Sequence, residues 1–253
     1  MIVLKLVVTP LLIAVATLVA RRWGHGVGGW LSGFPLTSAP VSVFLALEQG
    51  PDFAAGAAVG TLLGLAAMGI CCLVYGLVAR HAGWMASTVA GLGTFVICLA
   101  ALSRFTPSLL VAFLVVCAAL AVAALALPRS SGKPTAVVAP WWDLLARMVV
   151  AAAVVLTLTT CATYLGPTLS GLFSPIPVFL FLLAIFAQRA EGAEASIRVL
   201  RGGIMGSFAF AVFFLIVGIG LGRLGIGVTY ALASVGAIGL NGAVLSVGRG
   251  LFR

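Results

Sequence analysis

Charge is what this sequence has least of. Five acidic and fourteen basic residues stand among 253, so charged side chains make up 8%, against about a quarter in a soluble domain. With two histidines and no mid-span carboxylate, the convergent acids, bases, nucleophiles or metals of a catalytic site are missing, and no enzymatic activity is expected. The same scarcity argues against a pump that carries protons on intramembrane carboxylates. Cys71, Cys72, Cys98, Cys117 and Cys161 lie inside apolar runs with no CxxC or Cys/His spacing. They read as small buried thiols, not metal ligands or a disulfide framework. His25 and His81 are too far apart in sequence to suggest a metal pair, and no metal or cofactor is expected.

Apolar residues fill the space that charge leaves. They make up 63% of the chain, with a mean hydropathy of +1.28. Such composition indicates an all-α polytopic membrane protein. The net charge of +9 could suit nucleic acid, but the basic residues stand singly between apolar runs, as topology signals do. Nine spans are expected, at about 2–20, 27–47, 53–79, 83–102, 107–127, 144–165, 167–188, 202–222 and 225–247. The first resembles a signal peptide but has its charge on the wrong side, Lys5 before and Arg21 and Arg22 after, so a retained helix is expected. In the third, Gly56-x-x-x-Gly60-x-x-x-Gly64 puts three glycines on one face, where another helix can approach closely. Before the eighth, Glu194 and Arg198 stand at i,i+4 in a helical lead-in with a solvated face. The one polar linker, 128–140, is followed by Trp141 and Trp142, suited to a membrane interface.

Two stretches repeat each other. Leu31, Ser32 and Gly33 match Leu169, Ser170 and Gly171 at an offset of 138 residues, as Gly28 matches Gly166. One deletion then aligns Pro40, Val41 and Phe44 with Pro177, Val178 and Phe181. Residues 1–102 are read as a first four-span repeat, 103–142 as a connector span with its linker, and 143–253 as the second repeat. One extra span between four-span units makes the repeats inverted, a recurrent plan in transporters. The basic residues divide three against eleven between the two sides. The eleven-residue side should be cytoplasmic, with the N-terminus outside and the C-terminus inside.

The repeat unit resembles the GlpM-like small bacterial membrane proteins, which are single units of roughly four spans. The likeness rests on Gly171-Leu-Phe-Ser-Pro-Ile-Pro-Val-Phe-Leu-Phe-Leu, on Glu194-Ala-Ser-Ile-Arg-Val-Leu-Arg-Gly-Gly, and on Gly33-Phe-Pro-Leu-Thr-Ser-Ala-Pro in the first copy. It covers about 1–102 and 143–250. The first copy departs from it in having no counterpart of Arg198 and Arg201. The resemblance implies a multi-pass protein of the bacterial inner membrane and names no substrate.

The expected function is transport or channel-like passage through a midplane site where proline-broken spans 2 and 7 meet. The alternative is a non-transporting accessory or scaffold role in envelope assembly. Proline removes a backbone donor, and breaks inside a membrane are tolerated only where freed groups are buried or line a cavity. The candidate binding residues are Ser32, Gly33, Pro35, Thr37, Ser38 and Pro40 in the first copy, and Ser170, Gly171, Ser174, Pro175 and Pro177 in the second. Hydroxyls and helix N-terminal amides without a carboxylate favour a small anion or polar solute and disfavour a metal cation. Among partners only the lipid bilayer, with a small-molecule or ion ligand, is expected; nucleic acid is not.

Overall fold

A computed structural model of the chain describes residues 35–128 and 143–248, with positions 7, 10, 11 and 14 before them. Most of the first span, the site positions Ser32 and Gly33, the linker with Trp141 and Trp142, and the C-terminal residues 249–253 lie outside the described residues. The described residues form nine helices: α1 (Ser38–Glu48), α2 (Pro51–Ala79), α3 (Trp84–Leu102), α4 (Leu109–Ala126), α5 (Asp143–Thr160), α6 (Ala162–Phe173), α7 (Val178–Glu191), α8 (Ala193–Leu224) and α9 (Ile226–Gly248). Four of them, α2, α3, α4 and α8, are long and apolar enough to cross a membrane. Met85, Val89, Leu92 and Val96 form an exposed apolar stripe along α3, and Leu110, Leu114 and Leu125 are exposed on α4. Water would not tolerate such faces; lipid does. Length and composition point to a membrane protein.

The short helices are defined by proline. α1 starts so that Pro40 falls in its first turn, where amides have no intrahelical partner and a missing donor costs little. The residues before it, Pro35 to Thr37, form a turn closed by Ala39 N–H on Pro35 O at 2.8 Å. The stretch expected as span 7 holds two helices: α6 ends at Phe173 and α7 begins at Val178, with Ser174 to Pro177 between them. At 11, 12 and 14 residues, α1, α6 and α7 extend roughly 16–21 Å, short of a core about 30 Å thick.

The long helices α2 and α8 pack against each other and form the axis of the molecule. Around α2 lie α1, α3, α4 and α6; around α8 lie α4, α7 and α9. Both long helices are entered through a glycine at positive φ, Gly50 (98°) before α2 and Gly192 (87°) before α8, a conformation only glycine adopts without strain. α4 buries the stripe Ala112, Val116, Leu120 and Ala123 between the two axes. Its C-terminal end is held by Arg201, whose Nη2 donates to Leu127 O at 2.7 Å, a cation on the negative end of a helix.

Two expected boundaries differ. Span 6 ends at Thr160, and a bend at Cys161 precedes α6. Just before the bend, Thr159 Oγ1 donates back to Val155 O at 2.7 Å, a bond that competes with the helical ladder. The expected border at Gly166 and Pro167 is a kink inside α6, with Gly166 at φ 72° and ψ 173°. The charged lead-in to the eighth stretch is helical, as expected, and runs on from Ala193 without a break. Arg198 reaches Glu191 at 3.5 Å across the Gly192 turn, a contact that the i,i+4 spacing to Glu194 did not foresee.

Candidate functional site

The two helix breaks touch. Ser38 Oγ, at the start of α1, donates to the backbone oxygen of Ser174 in the second break at 3.0 Å, and the bond is buried. Pro35, Ser38, Pro40, Ser170, Gly171, Ser174, Pro175 and Pro177 are all buried, and Thr37 is half-buried. The structure therefore brings Ser38 of the first copy onto Ser174 of the second, and buries the other described candidates on their own elements.

Glycine lets the second break come so close. A methyl group on Gly60 would run into Thr168 O, one on Gly64 into Leu172 O, and one on Gly171 into Ala57 O. α2 and α6 thus meet backbone to backbone, with Pro167 beside Gly56 and the Pro175 ring beside Gly64. Such approach gains van der Waals contact where lipid offers no hydrophobic drive. Gly60 and Gly64 lie about 14–20 Å along α2 from Pro51, near the middle of a 29-residue helix.

The polar groups of the junction fall into two sets. Ser38 is bonded to Ser174 O, and Ser42 Oγ lies 2.6 Å from the Tyr230 hydroxyl on α9. Thr61 Oγ1 donates to Ala57 O in its own helix at 2.9 Å. By contrast the hydroxyls of Ser170 (0% exposed) and Ser174 (2%) have no hydrogen-bond partner among the described residues. Each is a buried donor and acceptor left open. The carboxylates Glu48, Asp52, Glu191 and Glu194 all stand at helix ends, away from the breaks. Among the described residues no three His, Cys, Asp or Glu side chains gather to hold a metal ion, and all five cysteines are free. The arrangement can donate hydrogen bonds to a small polar group.

Sequence reasoning missed Tyr230, which closes the first break's Ser42. A tyrosine one turn into an apolar span is an ordinary interfacial residue until its partner is known. It also missed Gln188 at the end of α7. Gln188 Nε2 donates to Ala82 O at 3.1 Å and lies 3.4 Å from Ser87 Oγ, tying α7 to the start of α3. Beside it a recess of about 400 Å³ opens between Ala79, Trp84, Gln188, Arg189 and Ala193, at the opposite end of α2 from Pro51. No protein-family model matches the chain, and neither a curated protein nor a solved structure matches it.

Proposed function

We propose that the chain is a nine-span protein of the bacterial cytoplasmic membrane, two inverted four-span units joined by α4, which carries a small anion or polar solute past the junction of its two breaks. The termini are placed outside (N) and inside (C) by the charge split. The order α1–α2–α3 recurs as α7–α8–α9: a short helix after a proline break, a positive-φ glycine, a long helix, then a last helix. The short helix of each set packs on the last helix of the other, α1 on α9 and α7 on α3, as an exchange about a two-fold axis would require. The likeness to GlpM-like proteins belongs to the same proposal.

One observation carries the transport reading: the start of α1 meets the gap between α6 and α7, with the buried, open hydroxyls of Ser170 in α6 and of Ser174 in the gap. Their donors and the amides there suit an anion or a hydroxylated solute. The test is uptake into proteoliposomes from a panel of inorganic anions and small neutral polyols, with Ser170→Ala/Ser174→Ala beside the unaltered chain. At least one solute is expected to be moved by the wild type and about tenfold more slowly by the double variant, the order of one lost hydrogen bond to a charged group. Equal rates would put the site elsewhere.

The second reading is the non-transporting scaffold, favoured by the direct Ser38–Ser174 bond, which closes the breaks on one another. Liposomes in which the wild type moves no solute, with a membrane protein that co-purifies with the chain, would select it.

A further inference from the structure

The recess at the α2 end is independent of the breaks, and its chemistry is specific. Small residues line it, Ala79, Ala82, Gly83, Gly192 and Ala193, and leave room that larger side chains would fill. Its volume of about 400 Å³ falls in the range of small-ligand sites, about 300–1,000 Å³. Three sources of positive potential border it, set against the negative C-terminal ends of α2 and α7, which also line it. Arg189 stands with its guanidinium carbon 5.1 Å from the centre of the Trp84 ring, which holds the cation in place. The α3 N-terminus has neither a side-chain cap nor an acidic residue in its first turn; its first helical bond is Ser87 N–H to Gly83 O, so the preceding amides have no helical partner. The α8 N-terminus also lacks a side-chain cap, although Glu194 lies in its first turn. The nearby Glu191 carboxylate is paired with Arg198 at 3.5 Å.

The other requirement comes from Gln188, which lines the recess and is 9% exposed. Its amide nitrogen is fixed by the Ala82 carbonyl, which can only accept, so the oxygen is the free end, and Oε1 has no hydrogen-bond partner among the described residues. A buried carbonyl oxygen left open calls for a donor. We propose that the recess binds a phosphate ester whose alcohol part carries a hydrogen-bond donor, with the phosphate on Arg189 and the helix N-termini and the donor on Gln188 Oε1. Phosphoethanolamine has this chemistry, as a phospholipid headgroup or as a soluble ester. The position favours the lipid. Trp84 begins the helix whose exposed stripe Met85, Val89, Leu92 and Val96 runs on below the recess, where acyl chains would lie.

The test uses the full chain in nanodiscs and reads retained lipid by native mass spectrometry, with phosphatidylethanolamine and phosphatidylcholine offered in equal amounts. The two share the phosphate, but the choline ammonium has no N–H for Gln188. Several-fold preference for phosphatidylethanolamine is expected. Arg189→Gln, an exposed change that should not disturb folding, is expected to lower retention of both lipids about tenfold, and Arg189→Lys to restore part of it. Gln188→Leu is expected to abolish the preference while keeping phosphatidylcholine at its wild-type level. Glycerophosphoethanolamine added at millimolar concentration separates the sources: displacement of the lipid assigns the site to a soluble ester, and its failure assigns it to the headgroup. Equal retention of the two lipids by the wild type, or unchanged retention in Arg189→Gln, overturns the proposal. None of these outcomes depends on whether the breaks transport anything.

Discussion

The two breaks have related sequences and different polar environments. In the first, Ser38 and Ser42 are both bonded, one to Ser174 O and the other to the Tyr230 hydroxyl. In the second, Ser170 and Ser174 are buried to the same degree, and their hydroxyls have no hydrogen-bond partner among the described residues. The second break is also the one pressed against the glycine face of α2, where backbone meets backbone. A bonded hydroxyl fixes two helices relative to each other. An open one costs about 1–3 kcal/mol of desolvation that the fold does not recover by itself. On the transport reading proposed above, the first break serves architecture and the second binding.

The largest expected effect tests the packing side of that contrast. Gly171→Ala and Gly60→Ala each direct a methyl group at a backbone oxygen, Ala57 O or Thr168 O, and neither helix can yield without opening the seam. Overpacking of this kind costs about 1–3 kcal/mol, and the upper end is expected here because no flexible side chain can move aside. Gly93→Ala is the control. Nothing lies within 4 Å of its added carbon, and α3 should gain about 0.5–1 kcal/mol of helix stability. Thermal unfolding in one detergent should lower the midpoint for the first two variants and raise it slightly for the third. A Gly171→Ala midpoint equal to the wild type would mean that the seam is not tight.

The positions of the breaks were legible because proline has no amide proton and because Gly56, Gly60 and Gly64 fall on one helical face. Both are properties of a single segment. What those features face was not legible. Nothing in the sequence joins Gly60 to Thr168, Ser42 to Tyr230, or Gln188 to Ala82, since each contact bridges helices separated by a hundred residues or more. Arg198 shows the same limit over a short range. The i,i+4 rule sees one straight helix, and the turn at Gly192 lets Glu191 reach the arginine from another. The bend at Cys161 escaped because the Thr159 back-bond beside it uses a residue that is common in straight membrane helices.

A middle-sized effect tests the bonded set. Ser42→Ala leaves the Tyr230 hydroxyl without the partner at 2.6 Å and should cost about 1–3 kcal/mol, the range for orphaning a buried group. Tyr230→Phe should cost a similar amount through Ser42. The double variant removes both ends and should recover most of the loss, a coupling of about 1 kcal/mol or more in a double-mutant cycle. Additive single effects would show that the pair does not hold α1 to α9. Ser38→Ala removes one bond to a backbone oxygen and should cost about 1 kcal/mol, read as a smaller shift of the same midpoint.

The smallest change in stability should come from the residues to which binding is assigned. Ser170→Ala and Ser174→Ala remove hydroxyls that are buried and unpartnered, so no bond is lost and no partner is orphaned. The backbone bond Ser174 O accepts from Ser38 survives the substitution, because it uses the main chain. Replacing an unsatisfied buried hydroxyl by a methyl removes its desolvation cost, and each variant should lie between unchanged and about 1 kcal/mol more stable. If these groups receive a solute, the same variants should transport more slowly while melting no lower than the wild type. That opposition separates binding from architecture, since a structural serine loses stability and activity together. A loss of 1 kcal/mol or more on Ser170→Ala, comparable to Ser42→Ala, would make the two breaks alike and remove the ground for placing the ligand at the second.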